Sequence, residues 1–237
     1  MPNHCHNFMS VEGTEEDIQE FLKAVTFTDE NGEEVISIAR GVLPMPTALV
    51  GTQSPNPDSP EPNANWATLL ANGEITQEWH DELVRKNRER YEKNQKALAE
   101  TGYTDWYSWC HDNWGTKWGD YGHDQLDLDD NGKSLSVIYE TAWCPFSDKF
   151  FSAFAKRFPK LTVENRYEEL GMDFCGLILV KGGELVYSGY AENLSADIQP
   201  EASAEIGDDD YEEYWDKQRT AYDQAFEQFE SEAYEEV

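Results

Sequence analysis

Basic residues are scarce in this chain. It carries 18 Lys and Arg against 48 Asp and Glu in 237 residues, a net charge of −30. That imbalance opposes unassisted binding to nucleic-acid phosphates and anionic membranes, and it favours basic partners, cations or a high-salt medium. Long apolar runs are missing too. The longest, around Gly176–Val180, falls far short of the roughly 20 residues a membrane helix needs. The start, MPNHCHNFMSVEG, has no basic stretch followed by an apolar one, so no secretory leader is expected and the cytoplasm is the expected location. The four cysteines (Cys5, Cys110, Cys144, Cys175) form no CxxC pair, which favours free thiols over a zinc or disulfide framework. GxSxG, HExxH and P-loop patterns are absent, so no motif marks an enzyme and no cofactor is expected.

Aromatic residues are plentiful, at 13%. Disordered chains are poor in them, so a packed core is expected. His4–Gly13 alternates Cys5, Asn7, Met9 and Val11 against His4, His6, Phe8 and Ser10, the period of a strand. Thr14 and Asp17 resemble a capping box, and Ile18, Phe21, Leu22 and Val25 follow at helical spacing. Val35–Leu43 reads as a short strand. Six prolines between Pro44 and Pro62 forbid a regular ladder there and predict irregular, extended chain. A helix over roughly Thr76–Glu100 follows, with Arg85, Lys86, Arg88, Arg90, Lys93 and Lys96 along it. Those cations are expected to pair with neighbouring carboxylates. Leu126–Ser134 reads as a polar turn and Ser134–Trp143 as a strand. Ser147 precedes an apolar helical stripe of Phe150, Phe151, Phe154, Ala155 and Phe158. Leu161–Glu169 is strand-like, and Cys175–Tyr190 reads as a hairpin turning at Gly182-Gly183.

From Glu192 onward, 16 acidic residues face only Lys217 and Arg219, a net −14. Tyr211, Gln218, Ala225 and Trp215, Tyr222, Phe229 recur every seven residues, with Tyr214 and Phe226 beside them. This predicts an amphipathic helix over Asp210–Glu232 with one aromatic and one carboxylate face. The aromatic face must dock on its own domain, a second copy or a partner.

Four blocks, PNHCHNFMSVEG (Pro2–Gly13), NWGTKWGDY (Asn113–Tyr121), TAWCPFSDKFFSAFAKRFP (Thr141–Pro159) and YEELGMDFCG (Tyr167–Gly176), resemble in order and spacing the YubB-type ferredoxin-like domain family of plasmids and phages. His4 stands where the family has Trp, and Cys144-Pro145-Phe146 replaces Ser-Pro-Pro. The resemblance covers about residues 1–30 and 100–190. It implies an α+β, ferredoxin-like sheet of βαββαβ type with helices on one face, and a mobile-element origin; it transfers no catalytic residue. The expected organisation is a core of residues 1–43 and 100–191, an inserted proline-rich loop and basic helix over 44–99, and an acidic linker and helix over 192–237.

Several groups are candidates for chemistry. His4 and His6 share a strand face, and with Cys110 and His111 they supply metal-ligating types, though without paired spacing. Asp127, Asp129, Asn131 and Gly132 resemble the start of a calcium loop, but the twelfth position is Ile138, which cannot coordinate, so a solvated turn is favoured. Cys110-His111 are neighbours about 100° apart on a helix and do not form a nucleophile–base pair. Asn113, Trp114, Thr116, Lys117 and Trp118 are the ligand-binding candidates within the NWGTKW block, weighed against simple packing. Phe8 and Tyr139 could stack bases, as in RNA-binding ferredoxin-like modules, were the charge not so unfavourable. The strongest feature is the carboxylate row Asp208, Asp209, Asp210, Glu212, Glu213, Asp216, Asp223, Glu227 and Glu230. It points to an acidic, non-enzymatic interaction protein that binds a basic surface of a host or phage factor, in the manner of a nucleic-acid mimic or an inhibitor of host defence. A homodimer through the aromatic face is the accompanying expectation. A metal-dependent enzyme or small-ligand-binding protein with a site near the NWGTKW block, and an RNA-binding ferredoxin-like module, are the alternatives.

Overall fold

The computed structural model describes residues 3–57, 59–61, 64–196 and 208–235, the side chains of 124–125 and 208–212 excepted. The chain divides into two compact units, Met1–Leu43 with Asn113–Val237, and Pro44–Asp112. In chain order the first unit opens with β1 (His4–Glu12), α1 (Glu15–Val25), β2 (Thr26–Thr28), β3 (Glu34–Ile36) and α2 (Ile38–Val42). The second unit holds a 3₁₀ turn (Thr47–Leu49), α3 (Ala64–Ala71), α4 (Gln77–Thr101) and most of α5 (Trp106–Asn113). The first unit resumes with β4 (Tyr121–Leu128), β5 (Ser134–Ala142), α6 (Asp148–Arg157), β6 (Thr162–Glu169), β7 (Phe174–Lys181), β8 (Glu184–Glu192) and α7 (Asp208–Glu235).

The main sheet is antiparallel in every pairing, in the order β4-β5-β1-β6-β7-β8. Strands β4, β5, β1 and β6 with helices α1 and α6 make the βαββαβ core of a ferredoxin-like fold, and β7 and β8 extend it. Local signals start the helices where the sequence places them. Thr14 Oγ1 accepts from the Asp17 amide at 3.2 Å, and Ser147 Oγ accepts from the Phe150 amide at 3.4 Å. On the face that carries α1 and α6, Phe21 meets Phe154 and Phe158 at 5.3 Å between ring centroids, and Phe146 stacks on Phe150 at 4.1 Å.

Beneath those helices the sheet also buries a polar ladder. Tyr139 Oη donates to Asn165 Oδ1 (2.9 Å), Asn165 Nδ2 to Asn7 Oδ1 (3.2 Å), and Asn7 Nδ2 to Thr141 Oγ1 (3.0 Å). All four side chains are fully buried. Each of these groups has partners only in the observed register, so the ladder disfavours a slipped pairing of β5, β1 and β6.

Two readings are corrected. Of the strand expected over Val35–Leu43 only Val35 and Ile36 are strand, in β3; the chain turns at Ser37 into α2. Its first two amides, of Ile38 and Ala39, donate to the Asp120 carboxylate at 2.7 Å each, a start signal 81 and 82 residues away. Gly41 permits the fit, because a Cβ there would stand 2.6–2.8 Å from Ala24 and Val25 atoms. Second, the polar turn before β5 is confined to Asp129–Lys133, and residues 121–128 form the edge strand β4. Asp129 closes that turn by accepting from the amides of Gly132, Lys133 and Ser134.

In the second unit, α4 is capped by Thr76 and ends at Gly102 with φ +80°. The irregular chain after Pro44 is held on α4 by side-chain-to-backbone bonds, from Asn94 to Gln53 O (2.8 Å) and from Asn87 to Ser59 O and Glu61 O (3.0 Å each).

Candidate functional site

The acidic helix docks on its own domain. The α7 residues Gln218, Tyr222, Phe229 and Ala233 recur at helical spacing and are buried, the last three against Cys175, Leu177 and Leu179 of β7. Those β7 residues face away from α6, so α7 covers the second face of the sheet. The core helices share one face as expected, and α7 lies on the other. Gly189 makes room for it: a Cβ there would stand 2.7 Å from Phe229 Cδ1. Trp215, expected on the docked face, is half exposed. The first turns of α7 meet the Ser195 turn rather than the sheet, through Tyr214 Oη and Gln218 Nε2 on Ser195 Oγ (3.3 and 3.5 Å).

Polar contacts close the seam. Arg166 Nη2 pairs with Glu230 at 2.7 Å, Tyr234 Oη donates to Glu164 at 2.6 Å, and Tyr187 Oη donates to Glu232 at 2.7 Å. Burial and the Glu164 acceptor push the Tyr234 phenol up to about 12. Hydrogen bonds from Gln228 and Tyr187 hold Glu232 below the usual carboxylate range. Glu230, expected to face a partner, is therefore spent inside the domain. Glu213, Asp216, Asp223 and Glu227 are exposed, with Lys217 on Glu213 at 2.6 Å. The side chains of Asp208, Asp209, Asp210 and Glu212 lie outside the described residues.

Helix α7 covers only the β7–β8 half of its face. The other half is open and can be read off the register, because directly opposed residues share a face. One row across the sheet is Glu140–His6–Glu168, the next Ile138–Phe8–Arg166, and the next Asp127–Ser136–Ser10–Glu164. Between this floor and Arg219 and Phe226 of α7 runs a groove of about 470 Å³. Its carboxylates outnumber its cations. Arg166 is engaged by Glu164 at 3.0 Å and by Glu230, with its guanidinium 6.0 Å from the Phe226 ring centre. Glu168 is 8% exposed, and its cation is Arg219, 3.6 Å away on a side chain 59% exposed. Sequence reasoning missed this groove. The available signal was the exposed parity of β1, which puts Phe8 on the face opposite Asn7 and Met9.

The NWGTKW block is a packed joint. Trp114 is buried and its Nε1 donates to Leu43 O at 2.8 Å; Thr116 is buried and donates to Ala142 O at 2.7 Å. Gly115 has φ +81°, with Ser147 so close that a Cβ would stand 2.7 Å from it. Ser147 Oγ donates to the Asn113 carbonyl at 3.5 Å. Lys117, a ligand-binding candidate, lies over the Trp118 ring at 4.6 Å. His4 and His6 both turn to Glu140, at 2.7 and 3.6 Å, and His4 meets Tyr121 Oη at 3.3 Å. Cys110 and His111 belong to the second unit; the Cys110 thiol is pushed up to about 12, by burial first and then by Asp105, which leaves it a poor nucleophile. Among the described residues no three His, Cys, Asp or Glu are placed to hold a metal ion. The expected internal pairing of the basic helix holds for three of its six cations, Arg85 with Glu82 and Glu89, Lys86 with Glu82 and Lys96 with Glu100, while Arg90 donates to the Pro55 carbonyl at 3.3 Å. Among the described residues no helix is long and apolar enough to cross a membrane.

Residues 113–236 match the model of a family described as "Ferredoxin-like domain in Api92-like protein". The match begins at the NWGTKW block and takes in α7, which the resemblance read from the sequence had left out. A crystal structure of protein Api92 from Yersinia pseudotuberculosis aligns over 81% of this chain and 98% of that one, at 11% identity and a TM-score of 0.39. No curated protein matches the chain.

Proposed function

The chain belongs to the family of ferredoxin-like domains in Api92-like proteins, and from that premise we propose that it is an acidic interaction protein whose α7 engages a basic surface of another protein. One observation carries the reading: α7 is docked by its buried face, so its exposed carboxylates are held in fixed positions. Glu213, Asp216, Asp223 and Glu227 lie at spacings of three, seven and four residues, one stripe of the helix about 21 Å long at ~1.5 Å per residue. A duplex strand carries about one phosphate per 3.4 Å of axis, so the stripe is a sparser version of that charge row. It suits a cleft that ordinarily receives nucleic acid. Within the mobile-element origin implied by the resemblance, that cleft would belong to a host or phage factor.

The open sheet face disfavours the RNA-binding alternative. Phe8 is available for stacking, but Asp127, Glu140, Glu164 and Glu168 surround it and would repel a phosphate chain. The test is capture from bacterial lysate at low and high salt, followed by affinity measurement on the recovered protein with the variant E213Q/D216N/D223N/E227Q. Affinity should fall at least about tenfold, with a shallower salt dependence, because each exposed charge is worth up to ~1 kcal/mol. Binding that ignores both salt and the four substitutions would sink the proposal.

A further inference from the structure

We infer that the groove between α7 and the open half of the sheet receives an arginine side chain of the basic partner, its guanidinium taking the place of Arg219 on Glu168 beside Phe8. This rests on the proposed function and adds to it a site and the chemical group that fills it.

Charge complementarity is the first argument. Asp127, Glu164, Glu168 and Phe8 share the groove, with Glu140 in the row beside it, and the Arg166 guanidinium is already paired with Glu164 and Glu230. The groove lining carries three carboxylates against the two cations Arg166 and Arg219, so it is left net negative. Its own wall shows what kind of cation it accepts, because Arg166 already sits between two carboxylates with Phe226 at its flank. A planar guanidinium with carboxylate and aromatic neighbours is a combination that ammonium reproduces less well.

Glu168 is the second argument. Its residue is more than nine-tenths buried, at the groove floor, and a carboxylate so placed needs a cation. Its present cation is held at 3.6 Å, beyond hydrogen-bond length, by a largely exposed side chain. Arg219 can swing to solvent as a guest guanidinium arrives, so Glu168 is never left bare and the exchange avoids the desolvation cost of uncovering a buried charge. Phe8, 42% exposed in the adjacent row, offers the guest a ring face that Arg219 does not use.

The test titrates the full-length protein with acetyl-Gly-Arg-Gly-amide and follows backbone amide NMR signals. The citrulline analogue, of the same shape without the charge, is the control. Saturable shifts are expected at Phe8, Ser10, Arg166 and Glu168 with the arginine peptide and not with citrulline. Glu168→Gln, which keeps size and fold, should weaken binding about tenfold, the effect of one lost charge-assisted contact. Arg219→Ala should strengthen it, because it removes the competitor; a merely structural role for Arg219 would not. Shifts confined to Glu213, Asp216, Asp223 and Glu227 would overturn the groove site and leave the proposed function standing. An absence of shifts, equal binding of citrulline, or weaker binding by Arg219→Ala would overturn it outright. The salt-dependent capture experiment decides the broader reading independently.

Discussion

Phe229→Ala is the most direct perturbation of the acidic helix. Phe229 is 6% exposed, in contact with Gly189 and in one cluster with Cys175, Leu177, Leu179, Tyr222 and Ala233. Truncating a buried Phe costs about 3–5 kcal/mol as lost transfer free energy plus a residual cavity. Only two turns of α7 follow position 229, so the end of the helix can settle into the gap. The lower end of that range, about 3 kcal/mol, is therefore expected. The loss falls on the docking of α7 before it falls on the β5–β1–β6 centre, which has its own aromatic core on the opposite face. Hydrogen exchange resolves the two. Amides of α7 should exchange roughly a hundredfold faster, since ~1.4 kcal/mol is one power of ten, while β1 and β5 amides change much less. Partner affinity should fall although no charge has been touched, because the stripe of Glu213, Asp216, Asp223 and Glu227 would no longer be held in place. Gly189→Val, acting from the strand side, should reproduce the pattern, and Phe229→Leu should produce a fraction of it. Unchanged protection of α7 together with a stability change under about 0.5 kcal/mol would refute the claim that this face holds the helix.

Three further outcomes follow from the same contacts. Asp120→Ala removes the acceptor of the Ile38 and Ala39 amides and of His123 Nε2 (2.7 Å); it should cost about 2–3 kcal/mol and lower the melting temperature by roughly 5–10 °C in a thermal scan. Asn165→Leu strands Tyr139 Oη and Asn7 Oδ1 in the core and should cost about 2–4 kcal/mol in urea unfolding, with part recovered by adding Tyr139→Phe, since removing both partners spares the orphan. Tyr234 gives a pH test. Its phenol is raised above the unfolded value of ~10, so its share of stability is complete below about pH 10 and lost as pH rises towards about 12. Tyr234→Phe should flatten that part of an alkaline titration of α7 helicity, and an identical profile would show that the Tyr234–Glu164 contact does not hold the seam.

Features written in local periodicity were legible. Alternation marked β1, Thr14 and Ser147 marked the starts of α1 and α6, the phenylalanine stripe of α6 went inward, and the tail read as one amphipathic helix. Features written in distant pairs were not. Strand β4 reads YGHDQLDL, with Gly, His and Asp where an interior strand would be β-branched; an edge strand with one neighbour tolerates that composition. Helix α2 has a local cap, Ser37 Oγ on the Arg40 amide at 3.3 Å, but its first two amides rest on Asp120, which no window around Ser37 contains. Trp215 satisfied the heptad pattern, yet periodicity cannot say where the surface beneath a helix ends. The groove was invisible for a related reason. Its floor comes from β1, β5 and β6 and its wall from α7, and only the register shows that Phe8, Arg166 and Ile138 share a row. Of the carboxylates read as one interaction surface, Glu230 went to Arg166, because a helix face is divided by what lies beneath it.

The distribution of cations explains how so acidic a domain can fold and still present a charged surface. The cations of α7 and its floor are used inside: Arg166 bridges β6 to α7, Arg219 covers Glu168, and Lys217 stays on its own helix with Glu213. Each such part-exposed pair is worth at most about 1 kcal/mol, so pairing does not offset the mutual repulsion of a −30 chain. The apolar seam of Tyr222, Phe229 and Ala233 must hold α7 against that repulsion. Salt then acts with opposite signs on the two properties. Screening over roughly 10 Å at 0.1 M relieves carboxylate repulsion and should stabilise the free protein, while it weakens attraction to a basic partner across the same distance. A docking seam made of ion pairs would have coupled the two losses; an apolar seam separates them, so the stripe stays in place under the conditions that release the partner.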